Sequence, residues 1–147
     1  MNAAHLHLIL THFPPVLSLI AAGAAVVGFL RKRADLVSIA LWLLVVIGAM
    51  VPVVYMAGDR AADQIGRVDG VQQDAIAPHE RAGTISLVAS AAIGALAAAA
   101  LVWARRRANI PGGIRIILAA AALALAVVIG WTANLGGAIH HPEIEQH

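Results

Sequence analysis

Four long apolar runs, separated by polar breaks, make up most of the chain. They cover roughly Leu6–Leu30, Ala34–Ala57, Pro78–Ala104 and Gly113–Leu135. Each has about the 20 residues that a helix needs to cross the hydrocarbon core of a bilayer. The runs are too long for strands and lack the apolar–polar alternation of a membrane barrel. The pattern predicts an all-α membrane protein, an antiparallel bundle of four transmembrane helices in a single domain over residues 1–147.

The polar breaks and the prolines add detail to this bundle. The longest break, Gly58–Ala77, contains helical spacing and predicts a short interfacial helix between the second and third membrane helices. Pro78 suits the first turn of the third helix, where a missing N–H costs nothing. Pro14, Pro15 and Pro52 lie within apolar runs, and we expect them to kink the first and second helices.

Composition agrees with a membrane protein and excludes several kinds of chemistry. Of the 147 residues 61% are hydrophobic and 12% are charged, and the mean hydropathy is +0.83, whereas a soluble domain is about 25% charged. The chain has no cysteine, which excludes disulfides, thiolate ligands, iron–sulfur clusters and covalent haem attachment. No nucleophile–base pair or phosphate-binding loop is visible, so the sequence makes no case for hydrolysis or nucleotide binding.

The charged residues predict the orientation in the membrane. Basic residues fill the two short breaks, giving that side a balance of +6, while the other side carries −4. Positive loops stay in the cytoplasm, so both termini and the long break are expected in the periplasm of a bacterial inner membrane. The first run lacks a preceding basic stretch and a cleavage site, and we expect it to be retained. Because the basic residues flank apolar runs, they predict topology and not a nucleic-acid partner.

All seven histidines lie on the predicted periplasmic side. They are His5, His7 and His12 before or within the first helix, His79 at the third, and His140, His141 and His147 after the fourth. An imidazole in an apolar segment is costly unless it has partners. The ends of helices one, three and four meet in an antiparallel bundle, so the histidines are expected to converge on one site. Gly136 and Gly137 are expected to end the fourth helix and turn the tail across it.

Helical spacing divides the first three histidines. His5 and His12 are seven residues apart and share one face of an α-helix, about 10 Å apart along its axis. His7 points away from them and is the least committed. A six-coordinate haem needs ligands from two helices, and His12, the most deeply set, is expected to pair with His79 or His141. His5 is left for a second ligand set or a hydrogen bond.

Two ligand sets are open at this stage. The haem site comprises His5, His12, His79 and His141, with Arg60 and Arg81 as partners of the haem propionates. The metal site comprises His5, His7, His12, His79 and His141, since imidazole binds copper, zinc and iron. Residues expected to orient these imidazoles by hydrogen bonds are Glu80, Asn134, His140 and Glu143.

Three motifs in order resemble a known group of proteins. They are His5-x-His7-x4-His12-Phe13-Pro14, then Gly58-Asp59-x-Ala61 with Ile76-x2-His79-Glu80-x2-Gly83, and Ala133-Asn134-Leu135-Gly136-Gly137-x-Ile139-x-His141-Pro142-Glu143-Ile144. Together they resemble small bacterial four-helix membrane proteins, a domain of unknown function with a His-Phe-Pro motif in its first helix, some suspected to bind haem. A basic residue often precedes the last histidine of that pattern. His140 stands there, which makes His141 the better match and leaves the role of His140 open.

These observations lead to three hypotheses. The first is a cytochrome b-like protein that holds haem b at its periplasmic face and passes electrons between membrane quinol and a periplasmic cytochrome or respiratory complex. The second is a membrane protein that binds a copper, zinc or iron ion. The third is an accessory subunit that stabilises a larger respiratory complex. The lipid bilayer is a partner in all three, and a homo-oligomer is compatible with each.

Overall fold

A computed structural model describes residue 7 and residues 9–65, 73–107 and 110–139. Within these residues the chain forms four helices and no strand. The helices are α1 (Phe13–Leu30), α2 (Ala34–Ile65), α3 (Gln73–Arg107) and α4 (Gly112–Ala138). By length and composition all four can cross a membrane. The predicted all-α bundle of four membrane-crossing helices is confirmed.

Both helices beside the long break extend into it. α2 continues past Ala57 to Ile65, and α3 begins at Gln73, so Pro78 lies inside α3 and not in its first turn. A membrane limits how far an apolar run extends, but the helical backbone continues into water wherever polar residues favour it. The helical spacing after Gly58 therefore belongs to an extension of α2, and the expected separate interfacial helix is not found within the described residues.

The first helix is shorter than its apolar run. The chain is helical at His7 and at Ile9 and Leu10, then turns, and α1 begins only at Phe13. The main-chain N–H of Thr11 still bonds to the oxygen of His7 at 2.9 Å. Pro14 lies in the first turn of α1, where proline is favoured because the first N–H groups have no helical partner. Pro14 and Pro15 lack the N–H groups that would bond one turn back, so the helix is interrupted at Thr11 and His12, in line with the expected effect of these prolines.

The fourth helix does not end at its glycine pair. α4 runs through Gly136 and Gly137 to Ala138. Each glycine weakens a helix by about 1 kcal/mol relative to alanine. Tertiary packing overrides that preference here, because the side chain of His79 lies directly against Gly136. Ala138 is buried, which keeps the last turn in the bundle.

The four helices pack in a ring. α1 contacts α2 and α4, and α3 contacts the same two helices. α2 and α4 provide the large core side chains, such as Leu41, Leu44 and Leu125, while α1 and α3 provide small ones, such as Ala21 and Ala97. Small residues let membrane helices approach closely, and packing then holds the helices together.

The closest approach is between α2 and α3. A Cβ atom on Gly48 would lie 2.9 Å from the main-chain oxygen of Ser90 and 3.0 Å from the Cα of Gly94. Real Cβ atoms do not approach backbone so closely, so both positions require glycine in this arrangement.

The outer surface of the bundle is apolar and its two ends are polar. Large exposed side chains include Leu19, Val88 and Val127, the last 71% exposed. A bilayer accommodates such a surface and water does not. At one end, Arg105 lies 5.8 Å from the ring of Trp42 and Arg107 lies 5.5 Å from that of Trp103. We call the opposite end, where α1 and α3 begin, the outer end.

Candidate functional site

A cavity of about 400 Å³ opens at the outer end of the bundle. Its volume lies within the range of roughly 300–1,000 Å³ of small-molecule and cofactor sites. The lining comes from all four helices, and its apolar side chains, from α1, α2 and α4, include Pro14, Pro15, Val51, Val54 and Ile129. Polar groups lie among them, and include His7, Thr11, Tyr55, Asp59, His79, Glu80, Arg81, Thr84, Ser86 and Thr132. Two imidazoles therefore share one largely apolar cavity.

The imidazole of His7 is held against α2. Its Nδ1 lies 3.1 Å from the main-chain oxygen of Val54. Gly58, one helical turn beyond that oxygen, leaves room for the ring, since a Cβ there would lie 2.7 Å from His7 Cε1. The short helical segment before α1 brings His7 to this position. Val54 and Gly58 of α2 thus form a seat for the ring.

The imidazole of His79 is held against α4 in the same manner. Its Nδ1 lies 3.1 Å from the main-chain oxygen of Thr132. Gly136 lies one turn further along α4, and a Cβ there would be 2.9 Å from His79 Cε1. The extension of α4 through its glycine pair is what places Gly136 beside the ring.

The hydrogen bonds define the tautomer of both rings. A main-chain oxygen only accepts, so each Nδ1 must carry the proton and donate it. In a neutral ring Nε2 is then unprotonated and has a lone pair to share. Among the described residues neither Nε2 has a hydrogen-bond partner, and no buried side-chain nitrogen or oxygen lacks one. Each Nε2 therefore retains accessible surface.

Hydroxyl groups fasten α3 to α4 beside His79. The hydroxyl of Thr132 lies 3.1 Å from the main-chain oxygen of Ala82 and 3.0 Å from that of Val128. Since the proton of Thr132 is directed to these carbonyls, the hydroxyl of Ser86 donates to Thr132 Oγ1, at 2.8 Å. This network holds the carbonyl that His79 binds.

A second chain of hydroxyls joins α2 to α3 at the rim. Thr84 donates to the main-chain oxygen of Glu80 at 3.0 Å, so Tyr55 donates to Thr84 Oγ1, at 3.2 Å. Asp59, Glu80 and Arg81 also line this side of the cavity. The rim therefore carries two carboxylates and one guanidinium.

His12 does not take the inward position expected of it. The structure exposes His12 at the start of α1, outside the cavity lining, and puts His7 in the cavity. The expectation chose His12 for its depth along the apolar run. The cavity is instead lined by the face that carries His7, Thr11, Pro14 and Pro15 at helical spacing, and His12, five residues after His7, lies off that face.

Other predicted site residues divide into three groups. Arg81 and Glu80 line the cavity as expected of site residues. Arg60 and Asn134 are exposed and do not line it. The remaining calls, on His5, His140, His141 and Glu143, lie outside the described residues and stay predictions.

The metal site stays a prediction, since two of its expected ligands, His5 and His141, lie outside the residues that the structure describes. Among the described residues, no group of three or more His, Asp or Glu side chains in metal-binding proximity is found. His7 and His79 provide two nitrogen donors. A site with two protein donors suits a metal centre whose other ligands come from a cofactor.

Sequence reasoning missed the seats of the two imidazoles. A signal for them is present in the chain, as a glycine four residues after each carbonyl, in Val54-x3-Gly58 and Thr132-x3-Gly136. By itself such spacing is too common to single out.

Comparison with known proteins gives no assignment. The chain matches no protein-family model, no curated protein and no solved structure. Its resemblance to the His-Phe-Pro membrane proteins therefore stays a prediction, and function has to be argued from the cavity itself.

Proposed function

We propose that this protein is a cytochrome b-like electron-transfer protein that binds haem b between His7 and His79. The observation that carries the proposal is the imidazole pair. Both rings line one cavity, both donate Nδ1–H to a main-chain carbonyl, and neither Nε2 is hydrogen-bonded to any residue that the structure describes. Histidines that bind metal centres characteristically donate their other ring N–H to a carbonyl or carboxylate, which fixes the tautomer and orients the ring.

The donor set favours haem over a bare ion. A porphyrin supplies four of the six ligands of its iron, so the protein needs to supply only two imidazoles. Within the described residues two imidazoles line the cavity, and no third His, Asp or Glu completes a metal cluster. A structural zinc site, by comparison, uses four protein ligands and a catalytic zinc site uses three.

The chain's own residues would orient the cofactor and exclude water. Haem supplies one-electron chemistry when it is bound, and its potential depends on axial ligands, burial and nearby hydrogen bonds. Val51, Val54 and Ile129 would pack against its apolar surface. Arg81 is the basic residue at the rim within the described lining, beside Asp59 and Glu80. We keep Arg81 as the proposed propionate partner, whereas Arg60, exposed outside the lining, has less support.

Electron exchange is proposed at the outer end, because the cavity opens there. Quinol in the bilayer and a periplasmic cytochrome or respiratory complex remain the proposed partners. Because the cavity that holds both imidazoles lies near one end of the bundle, electrons would be exchanged on one side of the membrane.

An optical spectrum tests the proposal directly. The protein is purified in mild detergent, and a reduced-minus-oxidised spectrum is recorded. A sharp α-band typical of haem b is expected in the wild type. His7→Ala and His79→Ala should each abolish the six-coordinate spectrum, because each removes one axial nitrogen. His12→Ala is the matched control and should retain it.

Two results would contradict the proposal. One is the absence of Soret absorption in protein produced with ample haem. The other is full retention of the six-coordinate spectrum in His7→Ala or His79→Ala. Stoichiometric copper, zinc or iron without haem would support the metal-ion hypothesis instead. Protein with neither cofactor would leave the accessory-subunit hypothesis.

A further inference from the structure

The bundle consists of two helical hairpins, α1–α2 with the segment before α1, and α3–α4. Equivalent positions lie 72 residues apart in their first helices and 78 residues apart in their second helices. His7 and His79 are 72 positions apart, and they make equivalent hydrogen bonds. Val54 and Thr132, which accept those bonds, are 78 apart. The same 78 positions separate Gly58 from Gly136. The two seats thus follow one pattern in both hairpins.

The 72-residue offset between α1 and α3 also holds in the part of the bundle below the cavity. Ser18 of α1 and Ser90 of α3, also 72 positions apart, are both almost fully buried. Each hydroxyl donates to the main-chain oxygen three residues earlier, Ser18 at 2.8 Å and Ser90 at 3.1 Å. Ala25 and Ala97, again 72 apart, are both in the core.

The second helix of each hairpin keeps its own offset along its whole length. α2 begins at Ala34 and α4 at Gly112, which are 78 positions apart. Core positions coincide at the same offset in five pairs: Ala40 and Leu118, Leu41 and Ala119, Leu44 and Ala122, Ile47 and Leu125, and Val51 and Ile129. The offset was set by the imidazole bonds alone, so its agreement with helix starts and buried positions is independent evidence.

The packing of the helices fits a local two-fold axis. Both hairpins begin at the outer end, so an axis relating them runs along the bundle. Such an axis exchanges α1 with α3 and α2 with α4. The observed ring, in which α1 and α3 each contact both α2 and α4, has this symmetry.

We infer that the chain is an internal duplication of a two-helix hairpin and that its cavity is a two-fold site, in which Gly58 and Gly136 seat two equivalent imidazoles that bind one ligand between them. The two glycines are positioning residues, acting through His7 and His79. The ligand must accept two Nε2 lone pairs, as a metal centre with two open coordination positions does. The identity of that ligand as haem rests on the proposed function, but the duplication and the seats do not.

The duplication is incomplete at the rim. Asp59 of α2 corresponds to Gly137 of α4, and Arg81 of α3 corresponds to Ile9 of the segment before α1. The carboxylates and the guanidinium of the described rim therefore belong to the α2–α3 side of the cavity. Equivalence is expected for the imidazole seats and not for contacts at the rim.

Alanine at each glycine tests the seats. In Gly58→Ala and Gly136→Ala the new Cβ meets a ring and not backbone, so the ring moves and the fold remains. Gly137→Ala, whose Cβ would have nothing within 4 Å, is the matched control in α4. Gly130→Ala, whose Cβ would also have nothing within 4 Å and which lies outside the cavity lining, is a second control.

The first measurement uses ligand-free protein and nitrogen-15 NMR of the histidine rings. Both His7 and His79 should be neutral Nδ1–H tautomers with similar shifts. Gly58→Ala should change the signals of His7, Gly136→Ala those of His79, and the controls neither. Different tautomers in the wild type, or a ring that does not respond to its glycine variant, would overturn the inference.

The second measurement is a haem titration. Each glycine variant should weaken haem binding by about 10- to 100-fold, as the loss of groups that orient ligands does. The two losses should agree within about twofold, because the two sites are equivalent and effects at independent sites are additive to about that accuracy. A loss confined to one variant would contradict a two-fold site. If the wild type binds no haem, the proposed function fails, and the NMR result alone decides the inference.

A double-mutant cycle guards against effects of misfolding. Adding Gly58→Ala to His7→Ala should leave the free energy of unfolding unchanged apart from the effect of helix propensity, because the ring that the new Cβ would meet is absent. The same is expected when Gly136→Ala is added to His79→Ala. Loss of folded protein in either double variant would show that the glycine has a structural role of its own, and the positioning role would be rejected.

Discussion

The hydroxyl and the main-chain oxygen of Thr132 have separate roles. Its hydroxyl joins α4 to Ala82 and Ser86 of α3, and its main-chain oxygen binds His79. The corresponding position in the other hairpin is Val54, which accepts from His7 without any hydroxyl. The imidazole seat therefore needs only the main chain, and the hydroxyl fastens the helices.

Thr132→Val should destabilise the bundle and leave the imidazole seat intact. The buried hydroxyl of Ser86 loses its partner, and interhelical hydrogen bonds in membrane proteins contribute about 0.6 to 1.7 kcal/mol. The free energy of unfolding, measured in mixed micelles, should fall by about that amount while any haem spectrum persists. Thr84→Val, at an exposed pair, is the control and should change stability less. Loss of the haem spectrum in Thr132→Val at full folding would contradict this division of roles.

Among the helix–helix contacts, α2 and α3 approach most closely at Gly48 and Gly94. The corresponding positions in α4 and α1 are Ala126 and Ala22, which already carry a Cβ atom. The α2–α3 pair can therefore approach more closely than the α1–α4 pair. Small residues were visible in the sequence, but not which of them face a neighbouring backbone.

Gly48→Ala and Gly94→Ala should each destabilise the bundle. The added Cβ meets backbone atoms at about 2.9 Å, and overpacking typically costs about 1–3 kcal/mol. Better helix propensity recovers up to about 1 kcal/mol of that. Gly130→Ala, with nothing near its Cβ, is the control and should be neutral or stabilising. Equal unfolding free energies for all three variants would rule out close packing at this crossing.

Orientation in the bilayer belongs to the whole molecule. Basic residues, Arg31–Arg33 and Arg105–Arg107, flank both short connections between helices, and the positive-inside rule predicts that this end faces the cytoplasm. The bundle packs α1 to α4 with all its described histidines at the outer end. The proposed electron exchange with a periplasmic partner requires the outer end to face the periplasm.

Single cysteines test this orientation, since the chain has none of its own. Arg60→Cys lies at the outer end and Arg106→Cys at the other, and both positions are exposed. A membrane-impermeant maleimide should label Arg60→Cys in cells with a permeabilised outer membrane. It should label Arg106→Cys only after the inner membrane is opened. The reverse pattern would place the cavity on the cytoplasmic side.

Much of the fold could be predicted because a membrane imposes a simple rule. An apolar run of about 20 residues must be a helix, since lipid offers no partners to backbone groups. The four helices follow from that rule alone. Their ends do not, because beyond the bilayer local preference and tertiary contacts compete, as at Gln73 and at Gly136.

The candidate site was predicted in part for the same reason. The sequence by itself determined four helices and the end at which His79 and the histidines of the first segment lie. Only the tertiary structure decided that His7 and not His12 enters the cavity, because the face of the first segment that meets the other helices depends on how the helices pack. It alone paired His7 with Val54 and His79 with Thr132, since such contacts span 47 and 53 residues and depend on how helices pack, which no local pattern encodes.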